Sequence, residues 1–192
     1  MQIHDHTGQR KYLTPSERQA FLRSAEAAAG NVRTFCETLV YTGCRISEGL
    51  ALTAARVDIS DGMIILESLK KRRRGVFRAV PVPLHFLERL DHTHDVRVAH
   101  RLPDRGQNVL LWGWSRTTAW RRICEVMEAA DIAGLHAVPK GLRHGFGIKA
   151  VTSEVPLNMA QKWLGHAELS TTAIYTNATG PEEKRIAERM WA

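Results

Sequence analysis

The sequence has few cysteines and no long apolar run. Its 192 residues include three cysteines, Cys36, Cys44 and Cys124. They are widely spaced and odd in number, which argues against a disulfide framework and against the paired spacing of a zinc site. No stretch approaches the roughly 20 apolar residues that span a bilayer. The N-terminus, Met1 to Lys11, contains no apolar stretch, which excludes a secretory signal peptide. We therefore expect reduced core thiols and a cytoplasmic protein without a membrane segment.

The charge of the chain is strongly basic. Lysine and arginine number 27 against 20 acidic residues, which gives a net charge of +7 and a pI near 9.7. A basic surface favours a polyanionic partner, because binding releases condensed counterions. Charge alone does not separate DNA, RNA and acidic lipid. With 44% hydrophobic residues, the composition is typical of a globular protein.

Helical signals dominate the first part of the chain. Thr14 to Glu17 form a capping box with proline at the first helical position, which predicts a helix from Pro15 to Ala29 that Gly30 ends. Further helices are predicted at 32–42, from Arg45 onward, at 84–91 and at 115–130, with Ser115 as the N-cap of the last.

One β-hairpin interrupts the helices. The β-prone runs 63–69 and 76–82 flank a basic turn from Lys70 to Gly75, and Pro81 and Pro83 are expected to stop the second strand. The fold class is therefore mostly α with a small antiparallel β-hairpin or sheet, an α+β arrangement.

The segment from Thr42 to Leu52 carries the first candidate residues. If a helix begins here, Arg45 and Glu48 lie on one face, so that the carboxylate can orient the guanidinium. An oriented arginine can present a fork of N–H donors to two phosphate oxygens. An ordinary intrahelical ion pair on a solvated face would satisfy the same spacing.

Two later segments carry the remaining candidates. Lys140, Arg143 and His144 lie in a basic stretch that would by itself predict only a basic helix start. His166 and Tyr175 follow in the segment from Leu164 to Tyr175. Tyrosine, with an ordinary pKa near 10, becomes a nucleophile only where positive charge stabilises the phenolate or a base takes its proton. Two arginines and a histidine can meet that requirement, although a lone tyrosine is more often a packing residue.

Together the three segments resemble, in order and spacing, the tyrosine recombinase family, the integrases and site-specific recombinases of phages, plasmids and chromosomes. The likeness runs from Leu13 to Trp191. It implies the catalytic fold of that family, with Tyr175 as the nucleophile and Glu48 as the acidic residue that buttresses the site. It also implies three phosphate clamps, Arg45, Arg143 and His166.

Lysine residues mark where the chain departs from the family pattern. Lys140 stands where the family usually has histidine, and an electrostatic role in stabilising the transition state is expected for it. His144 matches a common family histidine that packs or hydrogen-bonds near the site. The family's hairpin lysine, which protonates the departing 5′ oxygen, corresponds to Lys70 in preference to Lys71, because strand ends are held more rigidly than turn tips.

Other basic residues are candidates for DNA contact. Those of the hairpin are Lys71, Arg72, Arg73 and Arg74, and those of the helix after Ser115 are Arg116, Arg121 and Arg122. The helix could equally be anchored in the core by its tryptophans and carry a basic face. His92, His94 and His100 suggest a metal only weakly, because no second ligand pair accompanies them.

The resemblance implies two transesterifications through a 3′-phosphotyrosyl intermediate, with no metal, nucleotide or other cofactor. Its partners would be double-stranded DNA and possible accessory proteins. Three further copies of the chain would join it in a tetrameric synapse, linked by exchange of a C-terminal helix at 182–190. It predicts an N-terminal loop or linker remnant at 1–12, a catalytic domain at 13–192 and no core-binding domain. A nucleoid-associated protein of a plasmid or other mobile element is expected. Type IB topoisomerase activity and a non-catalytic DNA-binding regulator remain the alternatives.

Overall fold

A computed structural model describes residues 2–69, 75–103, 108–177, 184 and 187–191. The α-helices of these residues are α1 (Pro15–Glu26), α2 (Gly30–Thr42), α3 (Ile46–Leu50), α4 (Leu84–His94), α5 (Val96–His100), α6 (Arg116–Ala129), α7 (Pro139–Thr152), α8 (Leu157–Leu164) and α9 (Leu169–Ala173). The strands are β1 (Val57–Asp58), β2 (Met63–Glu67) and β3 (Phe77–Pro81), and short 3₁₀ helices occupy Ala54–Arg56, Ile174–Asn177 and Glu188–Met190. The mostly helical prediction is confirmed.

Helix α1 begins where the sequence predicts and ends earlier. The Glu17 backbone N–H donates to Thr14 Oγ1 at 3.3 Å, and the Thr14 N–H donates to the Glu17 carboxylate at 2.9 Å. The predicted end at Ala29 is wrong, because the chain turns after Glu26 and Ala29 is already the extended residue that precedes α2. Gly30 therefore begins α2 instead of ending α1, and this tight turn lets α1 and α2 pack against each other.

The sheet contains the predicted hairpin and one strand more. The strands are antiparallel in the order β1-β2-β3, and the β2–β3 register pairs Met63 with Pro81 and Glu67 with Phe77. Pro81 is the last residue of β3, in agreement with its expected role. Strand β1 has only two residues, too few for an alternating pattern to predict, and it is held by pairing with β2.

Most of the core lies among α1, α2, α4 and α6. Trp112 is buried against Phe35, and its indole N–H donates to the Asn31 carbonyl at 2.8 Å. Ser115 caps α6 as predicted, by accepting a hydrogen bond from the Thr118 N–H at 3.1 Å. Because Ile123 and its neighbours at helical spacing face the core, the arginines of α6 lie on its exposed side.

A second, smaller core cluster surrounds the tyrosine predicted to be the nucleophile. Tyr175 packs with Ile148 and Leu164 from α7 and α8, and with Ile3 and Tyr12 from the N-terminal segment. Ile3 and Tyr12 are each 3% exposed, so residues 2–13 are part of the packed structure. The division of the chain at residue 12 stays a prediction.

The start of α7 approaches the preceding loop so closely that only glycine fits at position 141. A Cβ atom placed on Gly141 would lie 1.9 Å from the carbonyl oxygen of His136 and 3.0 Å from the Leu13 side chain. The backbone itself is the obstacle, so a side-chain rotation cannot relieve the contact.

We expect Gly141→Ala to lower the free energy of unfolding by at least about 2 kcal/mol, because overpacking against backbone forces α7 to shift. Gly113→Ala is the matched control, since a Cβ atom at Gly113 meets nothing within 4 Å, and it should change that free energy by less than about 1 kcal/mol. Urea unfolding followed by circular dichroism measures both. Equal losses in the two variants would contradict the packing described for α7.

Candidate active site

The fold brings together the three segments that the sequence singled out. The guanidinium of Arg143, on α7, donates from Nη1 to the Gly43 carbonyl at 2.7 Å and from Nη2 to the Leu164 carbonyl at 2.8 Å. Gly43 belongs to the segment of Arg45, and Leu164 is the first residue of the segment of His166. One buried arginine therefore fixes all three segments relative to one another.

Arg45 is the N-cap residue of α3, and Glu48 lies in its first turn. Glu48 Oε1 accepts a hydrogen bond from Arg45 Nη1 at 2.8 Å, and Glu48 Oε2 accepts one from the Arg45 backbone N–H at 2.9 Å. The two residues thus form the oriented pair that their spacing predicted. The Glu48 side chain is buried, whereas 28% of the Arg45 side chain is exposed, so Arg45 is the member that faces solvent.

Arg143 is held away from water at the centre of the site. Burial, together with repulsion from Arg45, lowers the pKa of its guanidinium to about 10, so it remains charged at neutral pH. Its two recorded acceptors are carbonyls at or next to the C-terminal ends of α2 and α8, where helix dipoles favour a positive charge.

His166 lies two residues after the end of α8 and is 8% exposed. Its Nδ1 is 2.8 Å from Thr172 Oγ1, and its ring stacks on that of Tyr175 with 6.3 Å between the ring centroids. Burial lowers the pKa of His166 to about 3, and the charges of Arg143 and Arg45 act in the same direction. The imidazole is therefore neutral at physiological pH, with Nε2 as the nitrogen not engaged by Thr172.

Tyr175 is completely buried. Its hydroxyl is 3.2 Å from His144 Nδ1, and a Cβ atom on Gly147 would lie 2.4 Å from its ring, so Gly147 makes room for it. Burial raises the pKa of Tyr175 and outweighs the opposite effect of Arg143 and Arg45. In this position the tyrosine is protonated and inaccessible to a substrate.

His144 and Lys140 flank this arrangement on α7. His144 is fully buried, and its hydrogen bond to Tyr175 matches the supporting role that the resemblance implied. Burial lowers the pKa of His144 to about 4, with Lys140 and Arg143 acting in the same direction. Lys140 itself is exposed in the first turn of α7. Its positive charge contributes to the lowered pKa of His144.

Sequence reasoning missed Arg78, which the fold places beside Glu48. Arg78 Nη2 donates to Glu48 Oε2 at 2.6 Å, and the Arg78 side chain is 4% exposed. A signal was present in the sequence, because Arg78 and Val80 are two residues apart in the predicted strand 76–82 and so share one of its faces. The structure buries both of them. An arginine at an apolar position of a strand is a candidate for a buried polar network.

The remaining candidates lie outside this cluster or outside the described residues. Lys70, Lys71, Arg72, Arg73 and Arg74 belong to the residues that the structure does not describe. Arg116 is exposed in the first turn of α6. Arg121 and Arg122 are also exposed, and both form ion pairs with Glu125, at 3.9 Å and 3.0 Å. The alternative that tryptophans anchor this helix is wrong for Trp120, which is 48% exposed on α6. Trp112 is buried but precedes α6, whose own core residues are Ala119, Ile123, Val126 and Met127.

No group of three or more metal-ligating side chains occurs in the part of the chain that the structure describes. His94, one of the weak metal candidates, instead places Nε2 2.9 Å from Thr34 Oγ1 and lies edge-on to Trp112. Within the same residues, no helix is both long enough and apolar enough to cross a membrane. All three cysteines are described, and they are free, with Cys36 and Cys44 buried.

The helical fold with its small sheet, and the tyrosine close to two arginines and two histidines, have the arrangement of the tyrosine recombinase type. The chain belongs to the phage integrase family, whose sequence pattern matches residues 11–181.

Known proteins support this assignment. The chain is 26% identical over 189 residues to the tyrosine recombinase XerD of Haemophilus influenzae, covering 94% of this chain and 62% of that protein. Its fold is similar to the crystal structure of XerA recombinase, with a TM-score of 0.78 and 23% identity over 93% of this chain and 64% of that one. XerH recombinase bound to its difH substrate gives a TM-score of 0.74 and 20% identity, over 98% and 60% of the chains. The chain thus spans less than two thirds of the length of these relatives.

The buried neutral histidines make stability depend on pH. Folded His144 and His166 bind protons only near pH 4 and pH 3, whereas in the unfolded chain they do so near pH 6.5. As the pH falls from about 6.5 to 4.5, the unfolded state takes up more protons, so the free energy of unfolding should fall by about 1.4 kcal/mol per pH unit for each histidine. The pKa of Glu17, lowered to about 2, adds a further loss only below about pH 4.5.

Urea unfolding at several pH values between 6.5 and 4.5 measures this slope. His144→Gln should reduce it by about 1.4 kcal/mol per pH unit, because one neutral buried imidazole is removed. His92→Gln is the control, since His92 is exposed and its replacement should leave the slope unchanged. An unchanged slope in His144→Gln would contradict the neutral state of that imidazole.

Proposed function

We propose that this chain catalyses site-specific DNA recombination, with Tyr175 as the nucleophile that cleaves and rejoins DNA strands. The observation that carries the proposal is the convergence of Arg45, Arg143, His166 and Tyr175 from three separate segments. A deprotonated Tyr175 oxygen would attack the scissile phosphorus and form a 3′-phosphotyrosyl bond, while the bond to the 5′ oxygen breaks and that oxygen takes up a proton. A 5′ hydroxyl from another strand would reverse the reaction.

In this proposal positive side chains stabilise the charge on the phosphoryl oxygens, as preorganised donors do in other transferases. Arg45 would bind the phosphate from the exposed side of the cluster and Arg143 from its interior. His166, held through Nδ1 by Thr172, would donate from Nε2 to a third oxygen. Lys140 would contribute charge to the same transition state. Lys70 would protonate the leaving 5′ oxygen, with Lys71 as the alternative.

The nucleophile must change position for this reaction. A side chain that is 0% exposed cannot reach a phosphate, so Tyr175 would have to leave its contact with His144 when DNA binds. The tyrosine belongs to the short 3₁₀ helix Ile174–Asn177, which is held mainly by packing against the smaller core cluster. Moving this segment would expose Tyr175 without dismantling the bonds that hold Arg45 and Arg143.

Double-stranded DNA is the proposed substrate. The relatives that this chain resembles include XerH bound to its difH substrate and λ integrase bound to a core site. Helix α6 supplies an exposed basic face with Arg116, Arg121 and Arg122, and the hairpin residues Lys71 to Arg74 would add phosphate contacts. Such contacts would fix the position of the DNA and carry no sequence information of their own.

The active assembly is proposed to be a tetramer on two DNA sites, in which exchange of a C-terminal helix links the subunits. It would work in the cytoplasm at the nucleoid, with accessory proteins where the DNA site requires them. Of the predicted helix at 182–190, the structure describes residues 184 and 187–190, and Glu188–Met190 form a 3₁₀ helix. Near the end of the chain, Met190 and Trp191 are 83% and 75% exposed. Large apolar side chains at such exposure are consistent with a segment that docks on another copy.

Covalent capture on DNA tests the proposed chemistry. The protein is incubated with supercoiled and nicked DNA from its genetic neighbourhood in the presence of EDTA, and protein–DNA adducts are separated in denaturing gels. We expect a metal-independent adduct that Tyr175→Phe abolishes, because only the nucleophilic oxygen is removed while the ring still fills its site. DNA binding without any adduct would instead support a regulator, and relaxation of supercoils without joining of two sites would support a topoisomerase.

Salt dependence tests the proposed role of α6. Arg116→Ala should weaken DNA binding on all sequences and reduce the slope of log K against log salt by about 1, as expected for one lost phosphate contact. Arg23→Ala removes the same charge from an exposed position on α1 and should leave the slope nearly unchanged. Fluorescence anisotropy between low and physiological salt gives both slopes. Equal slopes for the two variants would contradict the proposed phosphate contact of Arg116.

A further inference from the structure

Arg78 connects three parts of the candidate site from the inner face of β3. Its Nε donates to the Trp163 carbonyl at 2.7 Å, its Nη1 to Ser68 Oγ at 3.0 Å and its Nη2 to Glu48 Oε2 at 2.6 Å. All three nitrogens of the guanidinium therefore have a partner, and these partners lie on α8, on the residue that follows β2, and on α3. Such a fork is rigid because the group is planar.

Each partner of Arg78 stands next to a residue proposed to act on DNA. Glu48 holds Arg45, and Trp163 lies near the end of α8, three residues before His166. Ser68 lies two residues before Lys70 in the sequence. Packing around the guanidinium is tight, since a Cβ atom on Gly165 would lie 3.0 Å from Arg78 Cζ. Gly165 also has a φ of +67°, which favours glycine for a second reason.

The charges of this cluster explain why a second arginine is useful. Burial raises the pKa of Glu48, but the charges and hydrogen bonds of Arg78 and Arg45 together outweigh that effect and the pKa is lowered, so the carboxylate is charged. With Arg45 alone, the pair would be neutral. Because Arg78 shares the same carboxylate, the three side chains carry a net positive charge. Arg45 can then offer its remaining donors to a phosphate.

We propose that Arg78 is a positioning residue of the strand-transfer reaction, which fixes Glu48 and through it the phosphate-binding guanidinium of Arg45. The inference rests on the proposed function, in which Arg45 contacts the scissile phosphate. Arg78 is assigned no contact with DNA, because its three guanidinium nitrogens are already bonded to Trp163, Ser68 and Glu48. Its contribution is the orientation and net charge of the group that makes that contact.

A substrate with an uncharged scissile group separates this role from a purely structural one. A methylphosphonate at the mapped cleavage site replaces one anionic oxygen by a methyl group, so that less positive charge is needed in the transition state. If Arg78 acts through Arg45, its loss should slow adduct formation strongly on phosphate and much less on methylphosphonate. If Arg78 only supports the fold, its loss should slow both substrates equally.

The measurement is the single-turnover rate of Tyr175 adduct formation by Arg78→Met on matched nicked duplexes. On phosphate we expect a loss on the order of 10²-fold, the size expected for a misplaced catalytic group, with DNA affinity changed by less than about 3-fold. On methylphosphonate the loss should be under about 10-fold, because the group that Arg78 orients contributes less there. Arg78→Lys, which keeps the charge and loses the planar fork, should show the same ordering with smaller losses.

A second buried carboxylate offers a matched control. Glu37 is held between Arg33 and Arg89, at 3.3 Å and 2.9 Å, and its side chain is 4% exposed. Arg89→Met removes one arginine from this cluster, which lies between α2 and α4 and outside the candidate site. It should change adduct formation on the two substrates by equal factors, whatever it does to stability.

The outcomes distinguish the inference from the function on which it rests. If the unmodified protein forms no adduct on phosphate, the proposed function fails. If the unmodified protein forms the adduct but Arg78→Met loses rate equally on both substrates, Arg78 is structural and the inference is wrong. Should Arg78→Met not fold, Arg78→Lys is judged by the same criterion. A substrate-dependent loss in Arg89→Met as well would also overturn the inference, because the effect would then not be specific to the site.

Discussion

The site depends on arginines that are bonded to the backbone at helix ends. Arg143 joins the carbonyls of Gly43 and Leu164, and Arg78 takes the neighbouring carbonyl of Trp163. The last carbonyls of a helix lack partners within it, so each bond satisfies a group that burial would otherwise penalise. The end of α8 is thus held by two guanidinium groups, and the path of the chain from there to His166 is set by them. The same hydrogen bonds therefore fix the positions of the two guanidinium charges and the path of the backbone at the helix ends.

This arrangement keeps like charges close together inside the protein. Arg45, Arg78 and Arg143 repel one another, and burial penalises each of them further. Glu48 is the carboxylate that binds two of them, while carbonyl dipoles serve Arg143. The cluster therefore retains net positive charge where little water can screen it. A bound phosphate would complete the neutralisation, so under the proposed function DNA would relieve the repulsion among these arginines.

Local signals predicted well what is local in the fold. The capping residues Thr14 and Ser115 and the pairing of β2 with β3 all follow from neighbours in the sequence. The convergence of the site was inferred from resemblance, because nothing in the spacing of Arg45 and Arg143 requires their proximity. The role of Arg78 was not predicted because its partners come from distant segments. Strand β1 was not predicted because two residues are too few to form an alternating pattern. Burial of the N-terminal segment was missed for the same reason: its contacts are tertiary.

The buried position of Tyr175 and its proposed reactivity can be reconciled by comparing what acts on its pKa. Burial in the apolar cluster raises it, while Arg143 and Arg45 lower it. A movement from the cluster toward the arginines would weaken the first effect and strengthen the second. The same displacement that brings the oxygen to a phosphate would therefore make it easier to deprotonate. Because the arginines are anchored to Glu48 and to backbone carbonyls, they would stay in place during that movement. One movement of Tyr175 would thus both bring its oxygen to the phosphate and lower its pKa.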